Sequence, residues 1–181
     1  SNSLFPTEAK PEPIKKQKTG TEYYSQEIIT NMTKISPEDQ FVLYAPEPPE
    51  KNNPLASLPE NVKWRIIPSQ CLWSQLRLSW ELITTKDRPY VVFEPAHIIP
   101  FFARGRMVVT IHDLGFINFP KYYSLIDRMY NNLSTRFSAW RAEKIIAGSE
   151  YTKNDLVKYL KIRPEKIDVV YHGINKQIFN Q

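Results

Sequence analysis

Apolar positions in this chain change their period along its length, and each change marks an element. Tyr24, Ile28, Met32 and Ile35 recur at three- or four-residue steps, which predicts a helix over residues 21–35 entered through a Thr19-Gly20 turn. Residues 41–44 read as a buried strand and 62–67 as the next strand, separated by a Pro-rich surface loop over 46–59. Leu72, Leu76, Trp80 and Ile83 place one apolar face on a helix over 72–83, and 90–93 is a short strand before Glu94-Pro95. Residues 107–111 form a β-branched strand that ends at His112, and a long amphipathic stretch follows over 121–140. Residues 144–147 are again a strand. Ser149 or Thr152 caps a helix through Leu160, the latter with Asp155 as capping-box partner, and 167–171 is the last strand, leading into His172-Gly173.

Strands that alternate with helical patterns pair in parallel through crossovers. The expected class is therefore α/β, a doubly wound parallel sheet with helices on both faces and no internal repeat. The loops after Phe93, Ile111 and Ala147 then open at one sheet edge, where ligands collect in such folds. Residues 1–18, with Pro6, Pro11 and Pro13 and no period, are expected to be a flexible segment.

Composition narrows this picture. With 181 residues and 41% hydrophobic positions, the chain can build one real core, as a small protein or as half of a larger one. No apolar run approaches the ~20 residues that span a bilayer. The single Cys71 excludes a disulfide within the chain and a cysteine-built zinc site, which suits a reducing cytoplasm. The opening SNSLFP lacks the basic and apolar regions of a secretion signal, so a trimmed parent is expected. A net charge of +5 admits nucleic acid, an acidic lipid surface or a phosphorylated ligand as partner. Part of that excess, Lys10, Lys15, Lys16 and Lys18, falls in the N-terminal segment.

Candidate chemistry gathers at VVTIHDLGFI, residues 108–117, where an apolar strand breaks into His112 and Asp113. With His97 in the preceding loop, these side chains are placed to touch a ligand; the plainer reading has His112 capping a carbonyl and Asp113 capping its turn. A metal held by His97, His112 and Asp113 lacks a dense ligand cluster. Gly148-Ser149 has no second glycine, which excludes a nucleophile elbow and leaves Ser149 as an N-cap whose helix end can hold an anionic group. No phosphate-binding P-loop and no GxGxxG fingerprint occurs. Thr19-Gly20 is either a plain turn or a set of amides that approach a phosphate. Trp64, Trp73, Trp80 and Trp140 are expected in the core, whereas Phe101-Phe102, beside Arg104 and Arg106, either folds under or touches lipid.

Three landmarks at this spacing, VVTIHDLGF, EKIIAGSEYTKNDL and KIDVVYHGINKQIF, resemble the N-terminal domain of the GT-B retaining glycosyltransferases of family four, the mannosyltransferase-like group. The resemblance runs from Thr19 to the end. It implies a Rossmann-like acceptor-side domain over 19–172, and over 173–181 the start of a hinge to a second, donor-binding domain. In that hinge His172 stands for the usual Asn and Asn175 for Asp, with Phe179 following. A first strand just before Leu4-Phe5 is also implied. The resemblance assigns His112 and Asp113 to the reaction centre and, through Thr19-Gly20-Thr21-Glu22, a contact of Thr19 and Gly20 with the donor phosphate. Glu22, His97 and Ser149 become acceptor-side residues.

The implied activity moves a mannose-like sugar from a GDP- or UDP-sugar to a saccharide or lipid-linked acceptor, with retention and with no cofactor or metal. The expected setting is cytoplasmic, at the inner face of a membrane, in polysaccharide biosynthesis and without nucleic acid. The 181-residue chain by itself is expected to be inactive, because the groups that grip a leaving diphosphate belong to the second domain. The rival reading is a non-catalytic Rossmann-like binding or regulatory module, since fold does not fix function.

Overall fold

A computed structural model describes residues 19–68, 73–86, 88–102 and 105–173. The expectations for residues 1–18, Cys71, Leu72, the Trp73 side chain, Arg104, Asn175 and Phe179 lie outside the described residues. Helix α1 (Gly20–Ile35) leads to strands β1 (Phe41–Ala45) and β2 (Val62–Ile66), and helix α2 (Ser79–Thr84) to strands β3 (Val91–Glu94) and β4 (Arg106–Ile111). A one-turn helix α3 (Gly115–Asn118) and the long α4 (Leu125–Arg141) precede β5 (Lys144–Ala147), α5 (Glu150–Leu160) and β6 (Ile167–Val169). Every strand pair is parallel, so the α/β class holds.

The strands do not form one continuous ladder. β1 pairs with β2, while β3, β4, β5 and β6 pair in that order. β4 is the centre of the larger sheet: Met107, Val109, Thr110 and Ile111 are fully buried, packed with Ile145, Ala147, Leu156 and Ile167. β1 and β2 form the smaller pair; the residues of both are half-buried or exposed, although 41–44 was expected to be buried.

Two helices turn differently from their sequence pattern. Before α2 the chain winds as a widened π-type segment, Trp73–Leu78. The extra residue per turn rotates everything after it, so Leu78, Ser79 and Leu82 face the core while Leu76 and Trp80 face out. Along α4 the buried side chains are the small Ser134, Thr135, Ser138 and Ala139, and Trp140 is 71% exposed rather than in the core. Small residues let that helix lie close to the sheet, and the hydroxyl of Ser138 accepts a bond from the buried Ile99 amide at 2.9 Å. Of the aromatic pair, Phe101 folds edge-on against Phe137 and Phe102 stays exposed. The last strand also stops at Val169, two residues short of expectation, with Val170 and Tyr171 in the open.

Asn61 ties the smaller pair to α1. Its buried side-chain amide donates towards three carbonyls at the end of that helix and its turn, Thr33 at 3.3 Å and Ser36 and Asp39 at 3.0 Å. Asn61→Ala leaves those acceptors without this donor and is expected to cost about 1–3 kcal/mol, read as a lower urea midpoint with unchanged slope.

Candidate functional site at the carboxyl edge of the sheet

β4 delivers His112 to the sheet edge because the strand's side chains are consumed by the core up to Ile111. The next residue leaves the ladder between the loop after β3 and the first turn of α5. His112 is fixed on both sides: its Nε2 donates to the Pro95 carbonyl at 3.0 Å, and its own carbonyl accepts from the Thr152 hydroxyl at 2.9 Å. The first bond places the ring proton on Nε2 and leaves the Nδ1 lone pair as an acceptor. Burial lowers the His112 pKa; the Pro95 carbonyl opposes this and His172 adds to it, so the ring is neutral at pH 7.

Three more rings surround this imidazole. His172, just beyond β6, lies nearly parallel to it, with centroids 5.7 Å apart and planes 13° apart. Tyr24, from the second turn of α1, meets both rings edge-on at 4.8 and 5.0 Å, and its hydroxyl lies 3.3 Å from the Thr110 hydroxyl. His97 packs 5.2 Å from His112 and accepts the His112 backbone N–H on Nε2 at 3.4 Å. Its backbone occupies the left-handed region at φ 50°, and its N–H donates to the Thr110 carbonyl at 3.0 Å. At the foot of His172 lies Gly148, where an added Cβ would come 2.7 Å from the imidazole Nε2. Only a glycine admits that approach.

The remaining predicted residues are placed as follows. Asp113 is exposed, and its Oδ1 accepts the Gly115 N–H at 2.7 Å, capping the turn into α3. Thr19 caps α1 in a capping box with Glu22: the Thr19 N–H donates to Glu22 Oε2 at 2.8 Å, and the Thr19 hydroxyl oxygen accepts from the Glu22 N–H at 3.3 Å. Gly20 is the first residue of that helix and faces open space, with nothing within 4 Å of an added Cβ. Ser149, rather than Thr152, is the N-cap of α5, accepting the Thr152 N–H at 3.1 Å. A cleft of about 370 Å³ opens beside α1, lined by Thr21, Glu22, Ser25, Asn53 and Ala96. His112, Asp113, His97 and Ser149 thus lie at one edge with Tyr24 of α1, and Thr19 and Gly20 lie one turn away. Among the described residues, no three His, Asp or Glu side chains gather as a metal-binding group.

Sequence reading missed Tyr24, counted as a core position; His172, read only as hinge; and Glu94, read only as a strand end. Glu94 is pushed up to about 7 by burial, against a hydrogen bond from the Ala96 N–H. His97 is lowered to about 4 by burial first and by repulsion from His112 second, with Asp113 opposing. At pH 7 the His97 imidazole is therefore neutral and the Glu94 carboxyl is about half protonated.

These two shifts act on stability with opposite sign. His97, depressed in the folded chain, contributes stability that is complete above pH 6.5 and is lost as pH falls through about 4. Glu94, raised, contributes stability that is complete below pH 4.5 and is lost as pH rises through about 7. Urea midpoints measured from pH 4 to 7 are therefore expected to fall more steeply on acidification in Glu94→Gln than in the parent. In His97→Asn, which tolerates the left-handed backbone, the acid loss becomes shallower.

The sequence profile of Glycosyltransferase Family 4 matches residues 20–177. The O-antigen chain mannosyltransferase RfbU of Salmonella typhimurium (strain LT2) is 30% identical over 87 residues, which are 47% of this chain and 23% of that protein. The chain thus covers less than a quarter of this curated relative. The parallel α/β architecture is the Rossmann-like half of the GT-B type. By a profile match across most of its length, the chain belongs to Glycosyltransferase Family 4.

Proposed function

We propose that the chain is the acceptor-side half of a retaining glycosyltransferase that moves a mannose-like hexose from a nucleotide-sugar donor to a saccharide or lipid-linked acceptor. The observation that carries this reading is the setting of His112. It is a neutral imidazole at the carboxyl edge of the sheet, with its Nδ1 lone pair uncommitted and the first turns of two helices beside it. Such a ring accepts a hydrogen bond from a sugar hydroxyl, and the half-buried aromatic surround keeps the bond out of bulk water.

The helix ends supply the complementary element. The positive end of α1 attracts a phosphate, and the capping box already satisfies the Glu22 N–H while leaving the amides of Gly20 and Thr21 for a ligand. Glu22 adds negative charge on one side of that end, so an anion approaches over Gly20. Nothing among the described residues crowds a side chain at Gly20, and on this reading the space there belongs to the donor phosphate. Asp113 shapes the turn after His112 and adds its field on the acceptor side. His97 and Ser149 act by holding the His112 main chain, Ser149 through Thr152. Among the described residues β1 and β3 each have an unpaired edge, which fits the first strand that the resemblance places before Leu4 and that the common 3-2-1-4 order of doubly wound sheets sets between them. The second domain, with the diphosphate grip, follows the hinge at 173–181, in a protein that works in the cytoplasm beside the inner face of a membrane.

Sugar release from GDP- and UDP-hexoses is expected from a chain that includes the second domain and from none of the same assays with the 181-residue chain; silence from both sinks the reading. In the active form His112→Ala should lower kcat by roughly a hundredfold, a general acid–base-sized loss. Gly20→Ala should leave the unfolding midpoint at or above that of the parent, because Ala is the better helix former, yet raise KM for the donor several-fold. An unchanged KM would make Gly20 a plain turn residue.

A further inference from the structure

Tyr123 stands at the border of the proposed reaction edge, and no role described so far uses it. The chain leaves α3 through a short 3₁₀ turn, Pro120–Tyr122, that folds back on itself: the Tyr123 N–H donates to the Pro120 carbonyl at 3.3 Å. Ser124 then caps α4, its hydroxyl oxygen accepting the Asp127 N–H at 3.1 Å. Tyr123 is therefore held between two fixed turns, and from there its side chain reaches back to Gly115. A Cβ at Gly115 would come 2.6 Å from the Tyr123 hydroxyl oxygen and 3.5 Å from the ring carbon that bears it. Glycine makes room for that hydroxyl, as Gly148 makes room for His172.

Asp113 Oδ1 lies 3.1 Å from the same point. The two oxygens thus share the gap that Gly115 leaves. Oδ1 is committed to the Gly115 N–H, whereas among the described residues neither the Tyr123 hydroxyl nor Asp113 Oδ2 has a hydrogen-bond partner. A surface tyrosine ordinarily keeps its body on the protein and its hydroxyl in water. Here the residue is 36% exposed, yet its polar tip is turned in towards the Gly115 main chain and a carboxylate. The same carboxylate acts on the imidazoles, where its charge opposes the lowering of both His112 and His97. Below the loop, the Asn118 side-chain amide donates to the buried Asp155 carboxylate and pins α3 to α5.

We propose that Tyr123 sets acceptor specificity: its hydroxyl donates to one hydroxyl of an uncharged pyranose, and Asp113 Oδ2 accepts from the neighbouring hydroxyl of the same ring. The proposal rests on the transferase reading, which puts the donor phosphate at α1 and the acceptor on the Asp113 side. A donor next to a group that only accepts matches adjacent sugar hydroxyls, each of which gives and takes a bond. A carboxylate here repels phosphates and acidic sugars, so the unit that meets it is neutral. Both side chains are already in place, and little ordering is left for binding.

Saturation-transfer NMR on the 181-residue chain, with the methyl glycosides of mannose, glucose and galactose as probes, tests this without any turnover. At least one glycoside is expected to bind. Tyr123→Phe keeps the ring and removes a hydroxyl that no protein group uses, so the unfolding midpoint should match the parent while the probe binds roughly three- to tenfold more weakly, the worth of one hydrogen bond. Gly115→Ala, which drives the hydroxyl out of its gap, should weaken the probe similarly. One monodeoxy form of the probe should lose affinity for the parent and lose nothing further in Tyr123→Phe, because the bond is already gone. In a chain with the second domain, Tyr123→Phe should raise KM for the acceptor by the same factor with kcat little changed. No binding of any glycoside overturns the proposal, as does equal affinity of parent and Tyr123→Phe; a lowered midpoint in Tyr123→Phe also overturns it and makes the hydroxyl a packing group. Probe binding that depends on Tyr123 in a protein that releases no sugar from any donor would keep the saccharide site and remove the transferase reading.

Discussion

Thr110 is the point on which the site hangs. It is fully buried in a central strand, yet its hydroxyl and its carbonyl are both spent on the site: the hydroxyl contacts Tyr24 of α1, and the carbonyl accepts the N–H of His97. A buried hydroxyl and carbonyl must be satisfied, and here the partners that satisfy them are the two residues flanking His112. The core thereby sets the position of the site through hydrogen-bonding need as well as through packing. Thr152 repeats the device from the other side, bonding the carbonyl of His112 with its hydroxyl while its amide completes the cap of α5.

The wall around His112 carries little formal charge. Two imidazoles are held neutral by burial, and Glu94 is held near half-protonation by the same cause. Such an environment strengthens each hydrogen bond made inside it, and it leaves the charge of a phosphate to be met by helix ends rather than by fixed cations. Under the proposed reaction, that division suits a surface that holds neutral hydroxyls next to a charged leaving group.

Strands were the legible part of the chain. Those of the larger sheet carry β-branched runs that end in polar residues, and 144–147 came out to the residue. Helix ends were legible where a short polar side chain precedes an acid three residues on, although Ser149 outcompeted Thr152 because only it stands outside the helical turn. Helix faces were less so. The widened segment before α2 breaks the period on which face assignment rests, and Trp80 consequently points to solvent. On α4 the apolar stripe is real but faces outward, because small residues let the opposite side approach the sheet more closely than leucines could. The edge residues His112 and Asp113 follow from their place at a strand end. Tyr24 and His172 do not, since their meeting depends on how α1 crosses the sheet and where the chain goes after β6, and neither is a local property.

The contact between His172 and Gly148 ties the chain's exit to the acidity of the site. His172 helps to shield one face of His112 and depresses its proton affinity only while it rests in the space that Gly148 leaves free. Rotation of the backbone at 172–173 that lifts this ring away would remove its repulsion and part of the cover over His112, while Tyr24 and His97 keep theirs. Gly148 thus bears on how basic the edge is through the ring that it lets in, with no contact of its own to the His112 imidazole.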